Sequence, residues 1–520
     1  MQLVAYGAQD VYLTGNPQIT FFKVVYRRHT NFSIETIEHT LSSTPDFGRK
    51  SSVTVTRNGD LATRMYLKVV VNAISLSAGK AAYVCRLGHA LIKTVELEIG
   101  GSKIDKQYGN WMDIWYELSH SQGQESGYDS MVGNVASMTT MASSLPEYTM
   151  YVPLQFWFNR NTGLALPLIA LQYHEVRVHL EFAAAADCVR RSTSAAGYTP
   201  SIKDASLLVD YIYLDSEERR RFAQVGHEYL IEQLQFTGEE SVNTVSKKSS
   251  LGFNHPTKEI VWACQLGRYS GGTFGAESAD DLAKEIVAGK FDVTAVAGAT
   301  YNEAGTDEQH FSSNITVDND LTTPGNLNFI QTANLGGLYG DIVSATVRAH
   351  DAGVDVLSVV HNITVVEASQ LLSEMTDNRA ATGASALGSG VVVNQPCNFG
   401  LYIDGSGNTV NEALIQLNGH DRFDTQGGAY FNTVQPFQHH SNTPADGINV
   451  YSFALNPEQH QPSGTANLSR IDNTQLSVWF VDESTAGINY LAGNNKLYVF
   501  ALSNNVLRVM SGMGGLAYSN

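Results

Sequence analysis

The sequence contains little cysteine, little charge and no long apolar run. Its four cysteines, Cys85, Cys188, Cys264 and Cys397, lie far apart and form no C-x-x-C pair. This spacing argues against a disulfide framework or a zinc site and favours free thiols in a reducing compartment. No stretch of 18 apolar residues occurs, so we expect no membrane-spanning helix. The first 15 residues, MQLVAYGAQDVYLTG, lack the basic region and the apolar core of a secretory signal.

Motifs of catalysis and metal binding are also missing. His174 and His179 are five residues apart, so on a strand they point to opposite faces and cannot share one metal ion. Neither an H-x-H pair nor a G-x-S-x-G nucleophile turn is present. We therefore predict a protein that is not an enzyme, with no catalytic residue, no cofactor and no metal ligand. An enzyme is the weakest alternative, and a metal assay would test it.

What the chain does contain indicates a large β-rich protein. Its 520 residues exceed one ordinary core, so two or more domains are expected. Hydrophobic residues make up 43% and charged residues 16% of the chain, which suits packed cores and argues against disorder. Glycine is abundant at 45 residues, beside 24 Tyr and 21 Phe. This combination is typical of aromatic strands joined by tight turns.

Most periodic segments alternate between apolar and polar residues. TVELEIG (94–100) and EVRVHLEF (175–182) place every second residue on one face, and LSVWF (476–480) and KLYVFAL (496–502) follow the same pattern. These segments predict half-buried strands, because successive side chains of a strand point to opposite faces.

Three helices are also predicted, and one of them is ADDLAKEIVAG (279–289), which Ser278 and Asp281 could cap and Gly289 could end. Asn110 can cap a helix with one apolar stripe at positions i, i+3, i+4 and i+7. The stripe consists of Trp111, Ile114, Trp115 and Leu118. Further along, Asp215 and Glu218 resemble a capping box that opens the segment SEERRRFAQ.

The two halves of the chain repeat one another at three places in the same order. The matched pairs are ELEIGGSKID (96–105) with IQLNGHDRFD (415–424), LIALQYHEVRVHLEF (168–182) with LSRIDNTQLSVWF (468–480), and LLVDYIYLD (207–215) with KLYVFALSN (496–504). Any one match could arise by chance, but three in order argue for duplication. We therefore predict an all-β fold of two consecutive eight-stranded jelly-roll barrels, each built from two packed antiparallel sheets.

The formal charge of −18 falls entirely in the second half of the chain. Residues 1–222 hold 21 acidic and 21 basic residues, whereas residues 223–520 hold 30 and 12. Within that half, residues 269–412 hold 18 acidic and 4 basic residues, a net charge of −14, together with strand-like runs such as IVSATVRA and HNITVVEA. We interpret them as a long acidic insertion with structure of its own. Such a surface repels nucleic acid, so no direct nucleic-acid contact is expected.

Seven long strings resemble the major capsid proteins of nucleocytoplasmic large DNA viruses, most of all those of the phycodnaviruses of algae. The strings are QLVAYGAQDVYLTGNPQITFFKVVYRRHTNF, GLALPLIALQYHEV, RFAQVGHEYLIEQLQFTG, FNHPTK, LNGHDRF, QPSGTANLSRID and NVLRVMSGMGGLAY. The resemblance covers residues 1–268 and 413–520 almost throughout.

The resemblance implies a double jelly roll and a structural role in the outer shell of a virion. It implies a homotrimer whose six barrels form a pseudo-hexagonal capsomer that tiles a large icosahedral capsid. The implied partners are neighbouring capsomers, minor capsid proteins and a nearby internal membrane, with assembly in the cytoplasm of the infected host cell. The alternative is a carbohydrate-binding jelly-roll surface protein, which a glycan array would distinguish.

The expected organisation has five parts. They are an N-terminal arm (1–26), a first jelly roll (27–215), a linker (216–226), a second jelly roll (227–520) and, inside it, the acidic insertion (269–412). We expect the insertion to form the outermost part of the capsomer, because its charge would be repelled by anionic lipid on the inner side.

Two basic clusters are candidate assembly or membrane-facing sites. They comprise Lys23, Arg27, Arg28, Arg219, Arg220 and Arg221. The cluster near the N-terminus can lie against anionic lipid or acidic minor proteins, or form ion pairs within the trimer. The arginine run can be a solvated linker helix that pairs with Glu217 and Glu218, or a docking site between barrels or subunits.

Overall fold

The computed structural model describes most of both predicted barrels and part of the insertion. The described residues are 7–140, 142–192, 195–274, 391–401, 405–481, 491 and 493–518, together with the strands at 292–295, 315–316, 327–332, 342–351 and 354–364.

The first half folds into two sheets of four main strands each. These strands are β1 Phe32–Thr40, β2 Lys50–Val55, β3 Leu61–Val71, β4 Ile92–Ile99, β5 Ser102–Tyr108, β6 Tyr148–Pro153, β7 Val176–Phe182 and β8 Ile202–Leu214. The strand order is β1-β8-β3-β6 in one sheet and β2-β7-β4-β5 in the other, and all of these pairs are antiparallel. The short strand Leu166–Pro167 also pairs with β3.

The second half repeats this arrangement. Its main strands are β9 His227–Phe236, β10 Ser246–Ser250, β11 Pro256–Gln265, β12 Val410–Leu417, β13 His420–Asp421, β14 Ile448–Ser452, β15 Thr474–Phe480 and β16 Asn495–Met510. The sheet orders are β9-β16-β11-β14 and β10-β15-β12-β13. Short strands extend these sheets at Glu240–Val242, Gln426–Gly427, Ala466–Asn467 and Met513–Leu516.

Each strand of the first jelly roll therefore has a counterpart eight positions later in the second. The first repeated phrase forms the β4–β5 hairpin in one roll and the β12–β13 hairpin in the other. Their turns use Gly100 with Gly101 and Asn418 with Gly419, all at positive φ, where glycine carries no steric penalty. The second phrase contains β7 and β15, and the third contains parts of β8 and β16. The double jelly-roll prediction is confirmed.

Helices occupy the connections between strands. Those in the described residues are α1 Val11–Thr14, α2 Leu87–Leu91, α3 Gly109–Ser119, α4 Glu125–Val132, α5 Ala136–Thr139, α6 Trp157–Arg160, α7 Ser216–Gln224 and α8 Gln435–His439. A π-helical turn, Tyr430–Val434, leads into α8.

Helix α3 begins two residues earlier than the sequence suggested. We expected Asn110 as the cap, but the helix includes Gly109 and its cap residue is Tyr108. A Cβ at Gly109 would collide with the carbonyl oxygens of His89 and Ile92, so the chain can turn into the helix here only with glycine. The predicted α7 is confirmed, but the Asp215 side chain accepts a hydrogen bond from the backbone N–H of Ser216 rather than forming a capping box with Glu218. The helix predicted at 279–289 lies outside the described residues.

Alternation correctly predicted the inner faces of most strands. Val95, Leu97 and Ile99 are fully buried in the core of the first roll, for example. The prediction of a half-buried strand was wrong for KLYVFAL in β16. Leu497 and Val499 face the core of the second roll, while Tyr498, Phe500 and Leu502 are buried on the opposite face, because that face is covered by another part of the chain.

The insertion starts from a sheet shared by both halves. Ser270–Phe274, at the start of the insertion, pairs with Val391–Asn394, which lies before its predicted end at residue 412. Val391–Asn394 also pairs with Val189–Ser192 of the first half, which pairs with Ala81–Tyr83. Beyond this root, five strands form a separate antiparallel sheet, and the runs IVSATVRA and HNITVVEA supply residues to two of them. The insertion therefore has strands of its own, as predicted.

Candidate assembly surfaces

Strand directions place the root of the insertion and the start of β1 at opposite ends of the first jelly roll. Both β1 and β3 pair antiparallel with β8, so they run in the same direction. β1 begins at Phe32 at one end, and β3 finishes at Val71 at the other. The segment after β3 supplies Ala81–Tyr83 to the sheet at the insertion root. We call that end the insertion end, and the end where β1 begins the arm end.

Both predicted basic clusters lie at the arm end. The arm segment, residues 7–31, leads directly into β1 there. Leu214, the last residue of β8, pairs with Phe32, and α7 follows at once, so its arginines come to the same end. The topology thus brings two segments that are far apart in sequence to the same end of the first roll. Among the described residues the two clusters do not touch each other.

Arg219 fastens α7 to the first jelly roll. Its Nη2 lies 3.0 Å and its Nε 3.2 Å from Oδ2 of Asp60, which also accepts a hydrogen bond of 2.9 Å from the backbone N–H of Leu214. Arg220 and Arg221 are exposed. Of the two hypotheses for this run, pairing with Glu217 and Glu218 is therefore wrong for Arg219, which pairs with a neighbouring element instead.

The arm segment exposes most of its apolar side chains. Nine large apolar residues have between 67% and 99% of their surface exposed, namely Val11, Tyr12, Leu13, Ile19, Phe21, Phe22, Val24, Val25 and Tyr26. Lys23, Arg27 and Arg28 are exposed between and beside them. Such a segment needs an apolar partner, because monomeric soluble proteins rarely leave a contiguous patch of this kind in water.

A second surface joins the two rolls. The predicted apolar stripe of α3 is buried against the outer face of the β9-β16-β11-β14 sheet. The buried residues of this cluster are Trp111, Ile114, Trp115, Leu118, Leu234, Val261, Ala263, Phe399, Ile448, Val450, Tyr498, Phe500 and Leu502. The rings of Trp111 and Phe500 lie 5.3 Å apart. Helix α3 of the first roll therefore covers much of one sheet face of the second.

Buried ion pairs support this joint. Nη2 of Arg160, from the first roll, lies 2.9 Å from Oε2 of Glu232, whose other oxygen accepts a hydrogen bond from Lys258. The Lys258 Nζ also donates to the carbonyl oxygens of Pro457 and Gln459 at 2.8 and 2.9 Å. The Lys258 side chain is only 1% exposed, so its charge depends on these partners rather than on water.

His440, directly after α8, is clamped between two carboxylates. Its Nε2 lies 2.8 Å from Glu259 and its Nδ1 2.9 Å from Glu458. Burial alone would lower the pKa of His440, but the charges of these two carboxylates and the hydrogen bonds to them raise it to about 9. The imidazole is therefore protonated at neutral pH, and it connects strand β11 with the loop after β14.

Sequence reasoning missed these buried charges. Lys258 and Glu259 stand in the plain string HPTKEIVW, and their partners are distant in the chain. A lysine and a glutamate within an otherwise apolar strand were the available signal, since charges are rarely fully buried unless they are paired.

The equivalent helix of the second roll and the equivalent outer sheet of the first roll do not cover each other and remain exposed to solvent. The helical stretch Tyr430–His439 lies between β13 and β14, as α3 lies between β5 and β6. There Phe437 is 84% exposed, with Leu455 at 69% nearby in the following loop, whose carbonyl oxygen is 3.0 Å from Nδ1 of His439. The outer face of the β1-β8-β3-β6 sheet is also open, with Ile34 at 54% exposure.

A cleft at the insertion end bears on the carbohydrate alternative. It encloses about 440 Å³ between the two rolls. Its amide side chains are already engaged: Gln265 donates to the carbonyl of Gln395 and accepts from the hydroxyl of Tyr498, and Asn394 donates to the carbonyl of Val189. Sugar recognition needs polar groups free to orient a ligand, so these side chains give that alternative no support.

The described part of the chain shows neither a spanning helix nor a cluster of potential metal ligands. None of its helices is both long and apolar enough to cross a bilayer. Within the same residues, no group of three or more His, Cys, Asp or Glu side chains gathers as a potential metal site.

Comparison with known proteins gives matches over nearly the whole chain. A family model for the major capsid protein N-terminus matches residues 20–215, and one for the large eukaryotic DNA virus major capsid protein matches residues 218–515. The major capsid protein of Phaeocystis pouchetii virus is 43% identical over 560 residues, and capsid protein 1 of Acanthamoeba polyphaga mimivirus is 42% identical over 592 residues. Each alignment covers 100% of this chain and 99% of the relative. The solved structure of VP54 from the virus PBCV-1 matches with 32% identity and a TM-score of 0.64, covering 96% of this chain and 100% of VP54.

Proposed function

Because the chain belongs to the large eukaryotic DNA virus major capsid protein family, we propose that it works by closing a ring of three copies into one capsomer. The family is structural and non-enzymatic, and its members form icosahedral capsids, so the chain is a component of the virion shell. This confirms the resemblance that the sequence strings indicated. The ring, its orientation and its further partners are our proposal.

The proposal rests on one observation: each roll has a covering element and a sheet to be covered, but among the described residues only one such pair packs together within the chain. Helix α3 of the first roll covers the outer sheet of the second roll. The counterpart of α3, Tyr430–His439 of the second roll, leaves Phe437 in solvent. The outer sheet of the first roll is correspondingly open.

The simplest way to satisfy both surfaces is a head-to-tail contact between copies. In this contact Phe437 and Leu455 of one copy pack on the outer β1-β8-β3-β6 sheet of the next, around Ile34, Tyr66 and Tyr151. A contact between two different patches produces either a ring or a filament. With two rolls per chain, three copies complete a ring of six similar rolls, which has the pseudo-hexagonal outline needed to tile a shell.

In this capsomer the arm end faces the particle interior and the insertion end faces outward. The exposed apolar and basic arm segment suits contact with minor capsid proteins or an internal membrane. The insertion carries a net charge of −14, which keeps particles apart when it faces solvent. Capsomers meet their neighbours side by side, in contacts weaker than those within the trimer, and assembly takes place in the cytoplasm of the infected cell.

Native mass spectrometry tests the ring. We expect the purified chain to remain trimeric on dilution to micromolar concentration, as obligate oligomers do, and Phe437→Asp to yield folded monomers. The matched control is Tyr173→Asp, since Tyr173 is 76% exposed but lies outside both proposed surfaces. A trimer that survives Phe437→Asp would place the contact elsewhere, and a stable wild-type monomer would refute the obligate ring.

A further inference from the structure

The arm segment has the composition of a lipid-binding segment. Between residues 11 and 31 it contains three basic residues, Lys23, Arg27 and Arg28, and no acidic residue. Three of its most exposed side chains are the aromatic rings of Phe21, Phe22 and Tyr26, at 89%, 99% and 84%. A partner must therefore offer negative charge and apolar volume side by side.

The order of the apolar residues argues against a groove on a protein as that partner. Phe21 and Phe22 are adjacent, and Val24, Val25 and Tyr26 are consecutive. In an extended chain, consecutive side chains point to opposite faces, and in a helix three consecutive side chains spread around the axis. No regular conformation gathers all five on one face, so the partner has to surround the segment rather than line one side of it.

We propose that residues 19–28 insert into the headgroup region of a bilayer that contains anionic lipid. Aromatic rings with adjacent Lys and Arg are favoured at this boundary, where rings reach apolar chains while the cations remain beside phosphates. Unlike a protein groove, the lipid boundary does not require apolar side chains to lie on one face of the segment, so it can take up apolar side chains from all sides of residues 19–28. Binding to lipid does not require the trimer, and only its placement inside a particle rests on the proposed function.

The location of the segment fits this role. The arm segment lies at the arm end, opposite the root of the insertion, and the insertion carries a net charge of −14. At physiological salt, charge repulsion acts over only about 8 Å. The acidic insertion therefore does not oppose binding by a basic segment at the other end of the sheets.

Vesicle flotation of the full-length protein tests the proposal. We expect the protein to float with phosphatidylcholine vesicles that contain about a third phosphatidylserine, and to do so less at high salt. Phe21→Ser/Phe22→Ser should weaken binding on the order of 100-fold, from two lost aromatic insertions. Lys23→Gln/Arg27→Gln/Arg28→Gln should weaken it by a similar factor on anionic vesicles and leave weak binding to neutral vesicles unchanged.

Two control variants test whether lipid binding depends on the arm segment or on the rest of the surface. Lys50→Gln/Lys103→Gln/Lys203→Gln removes three charges from exposed lysines of the first roll, and Tyr173→Ser removes an exposed ring outside the arm segment and outside the proposed trimer contact. Both should float like the wild type. Equal loss in the control triple would mean that only overall charge matters, and this would overturn the proposal.

The remaining outcomes are also decisive. Failure of the wild type to float, or flotation unaffected by Phe21→Ser/Phe22→Ser, would overturn lipid insertion. If deletion of residues 7–28 abolishes the trimer and the wild type does not float, the arms pack against one another between copies. A protein that floats but is monomeric in mass spectrometry would support lipid insertion while refuting the proposed ring, so the two proposals can fail separately.

Discussion

The outer sheets of the two jelly rolls share one strand order but differ in what covers them. The β9-β16-β11-β14 sheet is buried beneath α3, and its outward residues Tyr498, Phe500 and Leu502 are at most 3% exposed. On the β1-β8-β3-β6 sheet, α7 covers only the corner near Ile212 and Phe222, and Phe32 and Ile34 are about half exposed. Because the two rolls are duplicates, the covered sheet of the second roll indicates what kind of element could cover the exposed sheet of the first.

A substitution in the contact between α3 and the covered sheet should destabilise the chain most. Trp111→Ala should lower the free energy of unfolding by about 4 kcal/mol, because a fully buried ring leaves a cavity between the rolls. Phe437→Ala changes the corresponding element of the other roll. Denaturant unfolding at several protein concentrations distinguishes them: the loss at Trp111 should be independent of concentration, whereas any loss at Phe437 should depend on it. A concentration-independent loss at Phe437 would mean that its ring supports the single chain.

The next effect tests the buried charges at the joint. Lys258→Met should destabilise the chain by about 3 kcal/mol, because Glu232 and two carbonyl oxygens lose a donor in a dry site. Lys203→Met is the matched control, since Lys203 forms an exposed pair with Glu147 at 2.8 Å and exposed pairs contribute about 0–1 kcal/mol. Chemical denaturation of both variants checks this, and equal losses would show that the joint does not depend on Lys258.

The sequence alone predicted the inner faces of these rolls and could not predict their outer faces. The alternation in TVELEIG predicts which residues face the core of the first roll, because that core lies on one face of the strand. The burial of β16 on both faces depends on Trp111 and Trp115, which come from helix α3 of the other roll. The local sequence pattern of β16 does not indicate a partner from another part of the chain. The apolar stripe of α3 did indicate that this helix packs against an apolar surface, but not which one.

The candidate sites show the same limit. Sequence identified the basic clusters by composition, and strand order then brought them to one end of the molecule. It did not predict that Arg219 pairs with Asp60, because Asp60 follows an ordinary Asn-Gly turn and only the fold places it beside α7. The clamp on His440 was missed for the same reason, since Glu259 and Glu458 lie in separate segments.

A third prediction uses that clamp. The folded pKa of His440 is about 9, above the unfolded value near 6.5, so its contribution is fully present below pH 6.5 and is lost as pH rises through 9. Between these limits stability should fall by about 1.4 kcal/mol per pH unit. His440→Gln should lack this slope. Thermal unfolding of both proteins from pH 6.5 to 9.5 measures it, and parallel curves would show that His440 is not protonated in the fold.

The smallest effect on the single chain is expected on the open sheet. Ile34→Ser should change the stability of the monomer by less than about 0.5 kcal/mol, because the side chain is already half in water. Val261→Ser, on the covered sheet, should cost about 2 kcal/mol, since it places a hydroxyl in an apolar joint. Ile34→Ser should nevertheless weaken the trimer, because Ile34 lies where Phe437 of the next copy is proposed to pack.

Chemical unfolding in the Phe437→Asp background measures the effect of Ile34→Ser on the stability of the monomer. Dilution followed by native mass spectrometry measures its effect on dissociation of the trimer. If Ile34→Ser leaves the trimer as stable as the wild type, the open sheet is not the surface that completes the ring.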